Sequence, residues 1–230
     1  MSAVELTAML PGAGVTFTDR SDGNMSSVGG VGREHGAANR DRLRARLGLR
    51  RLARGYQVHG THVQLVRQMP GREAETGELE QADGQATPLE GLGAMVLAAD
   101  CLPVAIVAPG EAVAMVHAGW RGLAAGVLEE GVRALHELSD NGGESLQAVL
   151  GPSAGPCCYE VGPEVHAALG TGVGRQAPVD LRTIARSRLE AAGVATVAVL
   201  GGCTICQQRF FSHRREGAAA GRQAGVAWLI

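Results

Sequence analysis

Three unbroken apolar runs lie in the middle of the chain: Ala94 to Ala99, Val104 to Ala108 and Ala112 to Val116. Pro103 and Pro109-Gly110 punctuate them. Short continuous apolar runs between breakers predict strands buried on both faces. From Gly122 to Leu138 the pattern changes. Leu123, Val127, Leu128, Val132, Leu135 and Leu138 recur at helical spacing, so one amphipathic helix is expected there. Pro163–Leu169 and Leu181–Ala191 read as further helices, and Asn39–Leu49 as a short Arg-rich surface helix ending near Gly48.

Strands are expected at Ala13–Thr18, Tyr56–Val58, Val63–Val66, Leu146–Leu150, Val194–Leu200 and Val226–Ile230. Ser21–Gly36 is rich in Gly and Ser, and Pro70–Gln81 is polar and acidic. Both read as loops. Strands and helices mix without regular alternation or internal repeat. The expected class is therefore α+β, one domain over 1–230, a sandwich with a central mixed β-sheet flanked by helices.

At 230 residues and 45% hydrophobic content, one sizeable core is the default. The formal net charge of −2 gives no global field toward nucleic acid or membrane, so neither is expected as a partner. No apolar run reaches the ~20 residues of a bilayer span. Met1-Ser2-Ala3-Val4-Glu5 lacks the features of an export signal, so a cytoplasmic location is expected. All 21 basic residues are Arg. That excludes Schiff-base lysines, a pyridoxal phosphate anchor and a Walker lysine, and leaves Arg as the only strong cation for a phosphate.

Three motifs stand out: His59-Gly60-Thr61-His62, Ala99-Asp100-Cys101-Leu102-Pro103 and His117-Ala118-Gly119-Trp120-Arg121-Gly122. Two imidazoles and a thiolate form a ligand set suited to zinc, and three protein ligands leave a coordination position open. Each residue alone has a plainer reading, as a strand cap or a small buried side chain. His62 would be an outer supporting group or exposed. Asp100 reads as a turn residue or as a general acid/base or substrate-orienting group beside the metal. Arg121 opens the amphipathic helix, where it could bind an anion or form a structural ion pair. Phe210–Arg215 with Gly221-Arg222 is a solvated charged loop or a phosphate pocket.

Five cysteines, an odd number, suit free thiols or metal ligands rather than a disulfide framework. Cys203-Thr204-Ile205-Cys206 has CxxC spacing, but no second CxxC accompanies it. Cys203 and Cys206 are therefore expected to be structural or incidental, not zinc ligands.

In these motifs the chain resembles the laccase-domain family of bacterial purine nucleoside phosphorylases, formerly labelled multicopper polyphenol oxidases. The matching stretches are Gln57–Gly60, Ala99–Pro103, Val116–Gly122, Gly151-Pro152, Cys157–Gly162, Cys203-Thr204, Phe210–Arg215 and Gly221-Arg222. The resemblance implies a single zinc on His59, Cys101 and His117, with copper a possible substitute. It also implies phosphorolysis of adenosine, inosine and guanosine to free base and ribose 1-phosphate. Adenosine deamination and methylthioadenosine cleavage are related family activities. Phosphorolysis needs a bound phosphate, for which Arg215 and Arg222 are the first candidates, then Arg121 and Arg20. Asp100 and Cys101 are the candidate catalytic residues, and a monomer is favoured.

The N-terminal third departs from the family pattern. Arg20 and Gly23 fit, but Asp22-Gly23-Asn24-Met25-Ser26 replaces the usual Gly-Gly-Val-Ser turn, and Ser27–Gly32 has no counterpart. This loop could line the substrate pocket. The older oxidase label meets a physical objection. Electron relay through several copper centres needs many His ligands, and only seven His exist here. Two other function classes remain open: a hydrolase acting on a peptidoglycan precursor or linked to cell division, and a non-catalytic zinc-binding module.

Overall fold

A computed structural model describes residues 6–71, 79–139 and 145–230. The expectation for Met1–Glu5, and the middle of the acidic loop expected at Pro70–Gln81, lie outside the described residues. Two mixed sheets pack face to face. The first holds β1 (Thr7–Leu10), β2 (Ala13–Phe17), β3 (Arg51–Ala53), β6 (Leu92–Ala98) and β13 (Gln223–Leu229), in the order β1-β2-β13-β6-β3. The second holds β4 (Val63–Leu65), β5 (Gly84–Thr87), β7 (Leu102–Ala108), β8 (Ala112–Ala118), β9 (Gln147–Leu150) and β12 (Thr196–Val199), in the order β12-β9-β7-β8-β5-β4. Pairing is antiparallel except β3 with β6, β4 with β5, and β9 with β12. The fold is an α+β sandwich with two mixed sheets where the sequence suggested one central sheet.

Side-chain alternation explains the layers. Along β7, Ala105 and Val107 point between the sheets, where they meet Val15 and Phe17 of β2, Val96 of β6 and Met115 of β8. Leu102, Val104 and Ile106 point the other way, onto Leu128 and Leu135 of α3 (Val127–Leu138) and Leu189 of α5 (Leu181–Ala191). A third cluster, with Met95, Val226 and Trp228, packs the far face of the first sheet against Leu43 of α1 (Gly36–Arg46). Both faces of β7 are covered, which is why its sequence is apolar throughout.

Several boundaries differ from the sequence pattern. Pro103 lies inside β7, opposite His117, instead of ending a strand. The helix expected from Gly122 to Leu138 is two: α2 (Trp120–Ala125) and α3, divided at Gly126, whose φ of 100° ends one helix and caps the next. Tyr56 makes only an isolated bridge to Gln81, so Tyr56–Val58 is no strand. Helix α1 starts three residues before the expected point, because Asn39 and Arg40 turn inward. Asn39 donates to the Asn24 carbonyl (2.6 Å), and Arg40 donates to the Met25 carbonyl (2.6 Å) and the Ser27 hydroxyl (3.0 Å). These bonds fasten the divergent N-terminal loop to the helix. Beyond β9 come β10 (Glu160–Val161), α4 (Pro163–Leu169), β11 (Ala177–Pro178) and α6 (His213–Glu216).

Candidate metal and substrate site

The chain crosses from the first sheet to the second between β6 and β7, and the turn that carries it holds Asp100 and Cys101. His117 is the penultimate residue of β8, one strand away. His59 comes from the loop before β4 and adopts φ 61°, rare for a residue with a side chain; Asp100 adopts φ 86°. The donor atoms of His59, Cys101 and His117 all lie within 4.8 Å of one another. Cys101 Sγ stands 3.7 Å from His59 Nε2, and the two imidazole rings meet edge to face at 4.9 Å. Tetrahedral zinc with one sulfur and two nitrogen ligands holds its donors roughly 3.3–3.8 Å apart, so the set fits with small adjustments.

Asp83 organises this set, and the sequence reading missed it. It is fully buried, and its Oδ1 accepts from His117 Nδ1 at 2.8 Å and from the His59 amide at 2.9 Å. Its Oδ2 accepts from the amides of Val58 (3.0 Å) and Gly60 (2.7 Å). One carboxylate thus orients one imidazole and fixes the loop that carries the other. Fixing Nδ1 leaves His117 Nε2 for a metal, the usual carboxylate–histidine–metal arrangement. Burial works against the Asp83 charge, but bonds from His117 and the backbone outweigh it and hold the carboxyl below its ordinary range. Burial likewise acts to raise the Cys101 pKa, yet the His117 charge and bonds from both imidazoles bring it down to about 6. Burial disfavours charge on His117 too, and the Cys101 and Asp83 charges raise it to about 9. In the metal-free protein the two form a thiolate–imidazolium pair, which is the ionisation state of a soft-ligand site short of one proton release.

Gly119 is needed for closeness. A Cβ there would stand 2.8 Å from His59 Cδ2 and 3.1 Å from Cys101 Sγ. The signal was present in His117-Ala118-Gly119, but only the fold shows what the glycine clears.

The three ligands open onto a cavity of about 970 Å³, the size of a small-molecule site. Arg222 and His213 line it, as do Tyr56 and Gln57. Ser26, Ser27 and Val28 also line it, so the divergent loop does form part of this wall. Gln57 is locked to β6 by paired bonds with the Leu97 backbone.

The remaining candidates divide. Arg215 donates to the carbonyls of Thr204, Ile205 and Phe210 and to Glu216. Arg20 bonds the Phe210 carbonyl and Glu216, and stacks over Phe211. Both serve as internal clamps, away from the cavity lining. Arg121 stacks on Trp120 and lines a separate cavity of about 410 Å³ with Arg214 and Tyr159. Only Arg222 of the four shares the cavity with the ligands. Asp100 is buried and saturated: Oδ1 accepts from Thr204 Oγ1 (2.6 Å), and Oδ2 from Ser212 Oγ (3.1 Å) and the Arg214 amide (2.6 Å). It ties the Cys101 turn to two other segments. His62 is exposed, 3.4 Å from Glu80. Cys203 and Cys206 are not alone: Cys157 and Cys158 come to the same place, supplying the partner pair that the spacing did not reveal.

An α+β sandwich with a three-ligand metal-type site at the crossing between its sheets defines the class. The chain belongs to the multi-copper polyphenol oxidoreductase laccase family, whose pattern it matches over residues 12–230. It is 43% identical to a purine nucleoside phosphorylase of Xylella fastidiosa, across 95% of this chain and 88% of that one. It is 37% identical to purine nucleoside phosphorylase YfiH of Escherichia coli, across 76% and 72% of the two chains. Among solved structures it is similar to the Neisseria meningitidis protein NMB0706 (TM-score 0.81, 30% identity, 99% of each chain). It is also similar to YlmD from Geobacillus stearothermophilus (TM-score 0.83, 28% identity, 100% and 97%).

Proposed function

We propose that this chain is a zinc-dependent purine nucleoside phosphorylase acting on adenosine, inosine and guanosine in the cytoplasm. The observation that carries the reading is the convergence of His59, Cys101 and His117 at a cavity that also presents Arg222. The names of the relatives support the substrate class. In the reaction a phosphate oxygen bonds to ribose C1′ as the C–N bond to the purine breaks, and the base leaves with a proton. Arg222 would position the phosphate through charge-assisted bonds. Tyr56, more than half exposed at the cavity mouth, offers a face on which a purine can stack. Asp100 acts as a positioning residue for the Cys101 turn, since its carboxylate already accepts three bonds. A metal on the three ligands supplies Lewis-acid polarisation or water activation, and the latter would also permit adenosine deamination.

The family's oxidase description asks for more copper ligands than the histidines provide. His166 is held by Thr171 and the Ala177 carbonyl, and the described residues join just two histidines in one metal-type group. Incubating the purified protein with inosine, with and without phosphate, tests the proposal. Phosphate-dependent release of hypoxanthine and ribose 1-phosphate is expected. Adenosine without phosphate checks deamination, and methylthioadenosine checks the remaining family activity. No turnover of any nucleoside would instead favour a cell-wall-precursor hydrolase or a binding module.

A further inference from the structure

Two turns bring four cysteines together. Cys157 and Cys158 follow Ser153-Ala154-Gly155 after β9, and Cys203 and Cys206 follow β12. A parallel bridge between Ser153 and Cys203 joins the turns, with the Thr204 amide donating to the Ser153 carbonyl at 3.0 Å. Arg182 adds a clamp by donating to the Ser153 and Gly202 carbonyls (3.3 and 2.6 Å). All four sulfurs lie within 4.8 Å of one another, and all are free thiols. Cys206 Sγ is 2.7 Å from Cys158 Sγ and 3.2 Å from Cys157 Sγ.

We propose that Cys157, Cys158, Cys203 and Cys206 form a second metal site, a four-thiolate structural zinc centre separate from His59, Cys101 and His117. Zinc–sulfur bonds of about 2.3 Å in a tetrahedron place sulfurs roughly 3.8 Å apart, inside the span these four occupy. The close pairs need open by only about an ångström or less. A four-thiolate set is a closed shell, which suits a structural ion. Apolar burial does not account for the cluster: Cys157 and Cys206 are exposed, and none of the four joins the three hydrophobic cores. The surroundings suit thiolates. The Gly155 amide donates to Cys203 Sγ at 3.2 Å, an outer-shell bond of the kind that orients metal ligands. Gly155 leaves room for it, since a Cβ there would press to 3.2 Å on Cys203 Cβ. Arg182 brings a positive charge whose buried Nε has no hydrogen-bond partner. That charge offsets part of the net negative charge of zinc with four thiolates.

The site has a consequence for the first one. The Ala154 amide donates to the Asp100 carbonyl (2.9 Å), and Thr204 Oγ1 to the Asp100 carboxylate (2.6 Å). Each turn of the cluster therefore holds Asp100, the neighbour of Cys101. A metal joining the turns would stiffen the crossing that presents Cys101.

Elemental analysis of protein purified under reductant should find two zinc per chain. The Cys101→Ala/His117→Ala variant should keep one. Loading that variant with cobalt(II) should give the intense sulfur-to-metal charge-transfer bands of a four-thiolate tetrahedral site. Cys158→Ser/Cys206→Ser should lose one zinc and melt at a lower temperature. If that variant does not fold, the cobalt spectrum of the wild-type protein decides, since five bound thiolates absorb far more strongly than one. A single zinc in the wild type, no thiolate-rich cobalt spectrum in the Cys101→Ala/His117→Ala variant, or a Cys158–Cys206 disulfide in the peptide map of reductant-purified protein would each overturn the proposal.

Discussion

Asp83 accepts four hydrogen bonds, from His117 and from three successive amides around His59. Asp83→Asn replaces one acceptor oxygen with a donor and removes the charge. Its expected effect is a weakening of metal affinity by about 10–100-fold, read by competition with a chromophoric chelator. The Cys101–His117 pair gives a pH prediction. In metal-free protein Cys101 should alkylate with a midpoint near pH 6, followed site by site by peptide mass spectrometry. In His117→Ala burial remains and the largest lowering cause is gone, with only His59 still lowering it, so the midpoint should rise from about 6 toward the ordinary thiol value of 9.0. The stability signs oppose each other. The lowered Cys101 pKa adds stability that is lost as pH falls toward 6. The raised His117 pKa adds stability that is lost as pH rises from 6.5 to about 9. Between those limits folded and unfolded chains hold equal protons on the pair, so it adds no slope there. Arg222 and Arg215 should separate kinetically. Arg222→Ala should raise the KM for phosphate by roughly 30- to 150-fold, for a loss of about 2–3 kcal/mol. Arg215→Ala should instead lower stability, because it takes this donor from the Thr204 and Ile205 carbonyls and leaves the Phe210 carbonyl to Arg20.

Two glycines in neighbouring elements have different work. Gly119 precedes α2 with an ordinary φ of −65°, and its requirement is space beside His59 and Cys101. Gly126 divides α2 from α3 at φ 100°, and no heavy atom lies closer than 3.6 Å to a Cβ there. Its requirement is conformational. Gly119→Ala should therefore reduce bound metal with little change in the urea midpoint. Gly126→Ala should cost about 1–2 kcal/mol in urea unfolding and keep the metal. Reversed outcomes would show that the helix break, and not the clearance, positions the site.

Across the whole molecule, the sheet-to-sheet core is the layer on which the site stands. Met115 is fully buried there, two residues before His117 on the same face of β8. Met115→Ala should destabilise the fold by about 2–5 kcal/mol, measured by urea unfolding of the metal-loaded protein. Folded molecules of that variant should still bind metal, because Asp83 and the crossing turn, and not core volume, set the ligand positions.

The buried strands β6, β7 and β8 and the helices α4 and α5 were legible in the residue pattern, since period and breakers are local properties. The ligands were legible for a related reason: His59, Cys101 and His117 are reactive residue types in distinctive short motifs. Short strands such as β3 and β5 carry few residues and no clear alternation, so only their partners reveal them. The supporting groups were hidden by distance. Asp83 lies 34 residues from His117, and its neighbours Ala82 and Gly84 give it no motif. Cys157 and Cys203 are also remote in sequence, and a spacing rule for CxxC pairs passes over an adjacent Cys-Cys. Arg215 and Arg222 looked alike along the chain, and both donate to backbone carbonyls, yet of the two Arg222 alone lines the cavity. Residue type and local period thus determined which chemistry and which strands this chain could have. The tertiary structure alone decided which charges meet, because burial and hydrogen-bond partners are set by segments that the chain brings together only on folding.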